Sequence, residues 1–208
     1  MAAARPSGLR SRLAWTGGLG AAVSAGWNVA NTGAAAGILA DAYGVSLAVI
    51  GLLTTGLFLT HALLQVPAGR LCDRFGPRLV GTAGLAVTAL GSTLALAWRD
   101  AGFAVAMRVL AGVGTGLSFV AGSDYVRSTA GTAFAQGLYG AASMAGGGLA
   151  LALIPQFDSW RAPSVSAAMG RRKAAPKVVL IDVIVFALNR LNTSSCRRSL
   201  RKQMRLLH

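Results

Sequence analysis

The sequence predicts an all-α membrane protein, and three observations carry that prediction. Only 12% of the 208 residues are charged while 54% are hydrophobic, and the mean hydropathy is +0.57. Such a chain has too little polar surface to cover a soluble globule. Five apolar runs near twenty residues follow one another, the length that crosses a hydrocarbon core of about 30 Å at about 1.5 Å per helical residue. Glycine is frequent, with 27 residues, as suits helices whose backbones approach closely in lipid.

The first run, 13–40, follows a segment, 1–12, that holds Arg5, Arg10 and Arg12. It carries Ser24, Asn28, Asn31 and Thr32 at near-helical intervals, a polar stripe with Trp27 beside it. The second run, 47–68, sets Thr54, His61 and Gln65 on one face, and the third is 79–98. The fourth, 102–122, contains Arg108. The fifth, 133–154, has Gln136, Tyr139 and Ser143 on one face and a run of glycines, Gly146 to Gly148. A signal peptide does not fit, because the first run lacks a distinct cleavage region and four more runs follow it.

Each stripe either lines a cavity or supplies interhelical hydrogen bonds of about 0.6 kcal/mol apiece. Ser24, Thr54 and Ser143 suit the second role. Asn28, Asn31 and Trp27 are bulkier and mid-span, and substrate contact suits them equally well; Tyr139 is a further candidate for it. His61 lies near the cytoplasmic end and reads as a structural histidine whose protonation would matter in a proton-coupled cycle.

The formal charge of +14 raises the question of nucleic acid, and its distribution answers it. Residues 1–160 carry nine Arg and five Asp, hence +4, whereas 161–208 carry eleven Arg and Lys and one Asp, hence +10. Upstream of that tail the basic residues sit in short patches between apolar runs, a pattern that orients a membrane protein rather than one that tracks phosphates. The patches at Arg5 to Arg12, at Arg70 to Arg78 and at Arg127 alternate with loops at Asp41 and at Arg99–Asp100. That alternation predicts a cytoplasmic N-terminus and no nucleic-acid partner. Cys72 and Cys196 make neither a disulfide framework nor a metal set. No nucleophile with a base, no metal cluster and no paired carboxylates stand in the runs, so neither an enzyme nor a cofactor is expected.

Two motifs narrow the reading. Residues 69–78 read Gly-Arg-Leu-Cys-Asp-Arg-Phe-Gly-Pro-Arg, which resembles the major facilitator superfamily signature G-x-x-x-D-R-x-G-R-R. The match holds at Gly69, Asp73, Arg74, Gly76 and Arg78 and departs at Pro77, where the family more often has a basic residue. Glycines there permit a tight reversal between helices, and Asp73 among three arginines can exchange partners at modest cost. The resemblance implies a gating loop that holds two transporter halves together, with the Asp facing a helix N-terminus of the other half. It also draws in Asp124, beside Arg127, as a further gating residue, for which a solvated surface charge is the equal alternative. The plainer alternative is a basic topogenic loop with a tight turn.

Residues 108–116, with Arg108, Gly112, Gly114 and Gly116, resemble the family's R-x-x-x-G-x-G-x-G pattern. Arg108 lies about 9 Å below the outer edge of its span, where a charge costs on the order of 2.5–3.5 kcal/mol to insert. It either faces a cavity or partner, or snorkels to the interface. The resemblance implies binding of an anionic substrate or coupling to proton movement. Gly112, Gly114 and Gly116 read as helix-packing residues, since their spacing and apolar setting do not fit a phosphate-cradling loop. The fifth run lacks the Gly-Pro pair of the family's antiporter signature.

The resemblance covers about 13–165 and implies the N-terminal six-helix half of the bundle, with five clear transmembrane helices. The sixth is missing or degraded: 162–170 gives nine residues before Arg171, and 178–188 is eleven long and holds Asp182. All three Lys fall in the 166–208 tail and no Gly follows Gly170. A frameshift or fused terminal sequence is one reading of that tail, and a natural basic tail for anionic lipid or nucleic acid is the other. The expected function is secondary active transport of a small solute, an organic anion on the strength of Arg108, by alternating access in a bacterial inner membrane. The expected partners are the lipid bilayer, a small-molecule substrate with coupled protons, and a second transporter half or a second copy. The alternative is a non-transporting membrane interaction protein or an inactive fragment with a lipid-binding tail.

Overall fold

A computed structural model describes residues 8–95 and 97–157. The helices are α1 (Gly8–Ala34), α2 (Ala36–Tyr43), α3 (Leu47–Leu63), α4 (Gln65–Phe75), α5 (Pro77–Leu94), α6 (Ala101–Ala130) and α7 (Ala133–Leu153), followed by a 3₁₀ turn at Ile154–Gln156. No strand occurs among the described residues. The expected sixth span and the tail 166–208 lie outside the described residues, as does 1–7 of the N-terminal segment.

Local chemistry sets the helix ends. Ser46, Asp100 and Thr132 cap α3, α6 and α7 by accepting from the backbone N–H three residues on, at 3.4, 2.6 and 3.2 Å. Gly44 and Gly131 close α2 and α6 in the left-handed conformation, with φ of 66° and 63°.

Two breaks were not expected from the sequence. The run 13–40 is divided at Ala35 into α1 and α2, and α2 then meets α3 at 117°. The run 47–68 is divided at Leu64. Pro67 accounts for the second break, since it supplies no N–H for the Leu63 carbonyl and its ring crowds that oxygen. The reversal expected over 69–78 is also much shorter. Gly69 to Phe75 belong to α4, Gly76 alone makes the turn at φ 82°, and Pro77 opens α5 at its first position, where a fixed φ and a missing N–H are no handicap.

By length and composition α6 and the segment Ala133–Gln156 can each cross a membrane, and α2 with α3 adds a third if the bent pair counts as one span. The protein is therefore membrane-embedded. Helix α6 is central and packs on α5, α3, α1 and α4, while α7 packs chiefly on α1. The contacts are backbone to backbone. A Cβ on Gly26 would overlap the Ser143 carbonyl of α7, one on Gly146 the Val23 carbonyl of α1, and one on Gly84 would stand 2.6 Å from the Ser118 nitrogen of α6.

Candidate functional site

Asn28 and Asn31 lie one turn apart on α1, and Arg108 of α6 reaches them in the interior of the bundle. All three are buried, Arg108 at 5% exposure and each Asn at 1%. Arg108 Nη2 donates to the Asn28 backbone carbonyl and, at 3.0 Å, to Asn31 Oδ1. The asparagines are themselves held: Asn28 Nδ2 donates to the Ser24 carbonyl at 3.0 Å, Ser92 Oγ of α5 donates to Asn28 Oδ1 at 3.4 Å, and Thr32 Oγ1 donates to Asn31 Oδ1 at 3.2 Å. Helices α1 and α6 thus meet at the guanidinium while α5 braces Asn28, and the guanidinium points into the bundle instead of along the helix to the interface. An arginine held this way is a preorganised, geometrically directed cation, suited to a carboxylate or another planar anion.

The other substrate candidates have different neighbours. Trp27 packs in an apolar cluster with Leu39, Ile50, Leu53, Ala104, Ala150 and Ile154, and its Nε1 finds no hydrogen-bond partner among the described residues. Tyr139 donates to the Phe119 carbonyl at 2.6 Å and lies against Gly122. Phe119 is eleven residues beyond Arg108, about 16 Å along α6, so Tyr139 and Arg108 do not share a site. His61 Nδ1 is 3.1 Å from Thr115 Oγ1 across the α3–α6 contact.

At the opposite end the signature residues gather around the α4–α5 turn. Arg78 donates from Nη2 to the Tyr125 hydroxyl at 3.1 Å and also stands 5.3 Å from the centre of that ring, which ties α5 to α6. Arg74 stacks on its neighbour Phe75 at 5.2 Å. Asp73 is exposed and forms no ion pair with a described residue, whereas Asp124 pairs with Arg127 one turn on. Asp73, Asp124 and Arg127 all line an open groove of about 430 Å³ between α4 and α6, together with Gln65, Gly69 and Cys72. Burial pushes the Cys72 thiol up from its ordinary pKa, and the carboxylates of Asp124 and Asp73 push it further.

Gly112 and Gly116 lie against α3, where a Cβ would stand 2.5 Å from the Leu57 carbonyl and 3.0 Å from the His61 carbonyl. Gly114 faces the other way, and its Cβ would overlap the Thr88 nitrogen of α5.

The sequence reading missed Ser92, Tyr125 and Thr115, each an isolated polar residue whose role exists only across a helix contact. Gly26 and Gly84 were also passed over, and Gly146 was noted only as part of a glycine run. Glycine in an apolar run was the available signal for them, and it is too frequent here to single out a position.

The family model described as Major Facilitator Superfamily matches residues 18–169, more than half of the chain. No curated protein matches it.

Proposed function

Since the chain belongs to the major facilitator superfamily, a family of membrane transporters, we propose that it carries a small organic anion by alternating access. The observation that carries this reading is Arg108, buried and gripped by Asn28 and Asn31. A charge in the membrane interior is costly and is retained where it does work on a substrate or ion.

In this reading the five helical runs cross a bacterial inner membrane with the N-terminus in the cytoplasm. The run containing α3 and the start of α4 is a single span broken at Pro67. The described helices form one rocking half, and the substrate meets Arg108 at its interface with a second half. Asp73, with Gly69, Arg74, Gly76 and Arg78, belongs to the cytoplasmic gate, and Asp124 holds Arg127 beside it. Protons are the coupling ion.

Uptake of labelled mono- and dicarboxylates into vesicles tests the proposal, with Arg108→Ala and Arg108→Lys alongside the unmodified chain. Carboxylate uptake abolished by Arg108→Ala and reduced at least tenfold by Arg108→Lys is the expected result, because the lysine keeps the charge but not the planar donors. Uptake indifferent to both substitutions, or restricted to neutral solutes, overturns it.

A further inference from the structure

His61 is a buried imidazole that anion binding does not use. It lies at 8% exposure on α3, against α6. Its Nδ1 is 3.1 Å from Thr115 Oγ1, and the same hydroxyl donates to the Gly112 carbonyl at 3.1 Å. A hydroxyl has one proton to give. With that proton on Gly112, the bond to His61 requires Nδ1 to be the donor, which fixes the neutral tautomer and leaves the Nε2 lone pair as the basic atom. Nε2 makes no hydrogen bond among the described residues.

The ring is also flanked by aromatics suited to a positive charge. Phe58 stacks at 6.5 Å with planes 23° apart, and Phe119 lies tilted at 5.5 Å. A cation within about 6 Å of an aromatic ring is attracted to its face; Phe119 lies inside that distance and Phe58 just beyond it. Phe119 in turn lines the groove between α4 and α6, as does Gln65, one turn beyond His61. The groove therefore ends against the residues that surround the ring, and its walls hold the carboxylates of Asp73 and Asp124.

We propose that His61 is the proton-binding site of this half, with Nε2 accepting a proton that enters along the α4–α6 groove while Nδ1–H stays bonded to Thr115. The Nε2 lone pair forms the new N–H bond as an O–H bond of a hydronium ion in the groove breaks to leave water, and the imidazole becomes imidazolium. No other bond breaks, so loading leaves the α3–α6 contact in place. The charged groups of the packed elements stand along the axes and not on the ring. Arg108 is seven residues before Thr115 on α6 and Asp124 nine after it, about 10 and 13 Å away along the helix. On α4, Arg70 is nine residues beyond His61 and Cys72, Asp73 and Arg74 are eleven to thirteen beyond it; Asp41 and Tyr43 of α2 are at the far end of α3, and the described side chains of α1 include no titratable group.

The inference deepens the proton coupling of the proposed transport, and its test is independent of uptake. The chain has two histidines, His61 and His208, so His208→Gln leaves one imidazole to observe. Nitrogen-15 NMR of that protein in lipid nanodiscs, titrated from pH 8.5 to 4.5, reads both ring nitrogens separately. Nδ1 protonated and Nε2 bare at high pH, with Nε2 gaining a proton on acidification, is the expected result. Thr115→Val should release the tautomer preference, and His61→Asn should keep the helical fold while abolishing any pH dependence of uptake. An Nε2–H tautomer at high pH, or no protonation down to pH 4.5, overturns the proposal whether or not the protein transports anions. A normal titration combined with absent uptake would instead overturn the transport reading and leave the proton site standing.

Discussion

Replacing Asn31 by Leu and Arg108 by Met, singly and together, isolates the interaction on which the anion site depends. Each substitution keeps the approximate length of the side chain and removes one partner of the 3.0 Å bond from Nη2 to Oδ1. Both residues are at or below 5% exposure, so water does not replace the lost partner. A neutral interhelical hydrogen bond in a membrane protein averages about 0.6 kcal/mol by double-mutant cycle, with about 1.7 as the upper end. A hydrogen bond to a charged group contributes roughly 1.5–3 kcal/mol. The charged donor and the low exposure place this pair in the second range. Reversible unfolding in mixed micelles should therefore show Asn31→Leu costing about 1.5–3 kcal/mol in the parent but less than about 1 in the Arg108→Met background. The cycle subtracts the separate loss of the Thr32 bond to Asn31, which both backgrounds share. A coupling energy near 0.6 kcal/mol or below would refute the reasoning, since Arg108 would then be an incidental cation and not one held in place for a ligand.

Two further predictions concern packing and the cytoplasmic groove. Gly26→Ala drives a methyl group into the Ser143 backbone, whereas Gly148 has nothing within 4 Å of the added carbon; the first should lower the thermal midpoint, at a cost of about 1–3 kcal/mol or more, and the second should hold or raise it, as followed by fluorescence-detected size exclusion. In a Cys196→Ser background, maleimide should label Cys72 slowly at pH 7.5, because burial and then the charges of Asp124 and Asp73 hold the thiol protonated. Removing one of those negative charges with Asp124→Asn favours the thiolate, so labelling should accelerate, and the two rates should converge at alkaline pH where both thiols are ionised.

How much of this was legible in the sequence depended on the range of the interaction. Composition and run length gave the membrane class, and the 69–78 and 108–116 motifs gave the family, which its matched model then showed over 18–169. The stripe Ser24, Asn28, Asn31 and Thr32 was visible as a helical periodicity, and all four residues are buried at about 1%. What covers them was not visible, because Ser92 and Arg108 lie 64 and 80 residues from Asn28. Breaks in helices were harder still. Pro67 sits inside a run that hydropathy alone reads as continuous, and only its missing N–H reveals the division at Leu64. The separation of Tyr139 from Arg108 was not visible either: both face inward, but the Phe119 carbonyl that Tyr139 meets is about three turns along α6 from Arg108.

The glycines of α6 connect these levels, because they decide which side chains can meet. Gly112 and Gly116 bring the α3 backbone directly onto α6 at Leu57 and His61, and Thr115 lies just before Gly116 on that contact, within reach of the imidazole. Gly114, a little over half a turn from Gly112, admits α5 at Gly84 and Thr88. With α3 and α5 seated on these two sides, α1 approaches α6 at the level of Arg108, where Asn28 meets Ser92 of α5 as well. The spacing that reads as packing in the sequence is therefore also what orients the functional polar groups. A side chain at Gly112 would displace α3, and with it His61, without touching either the imidazole or the guanidinium.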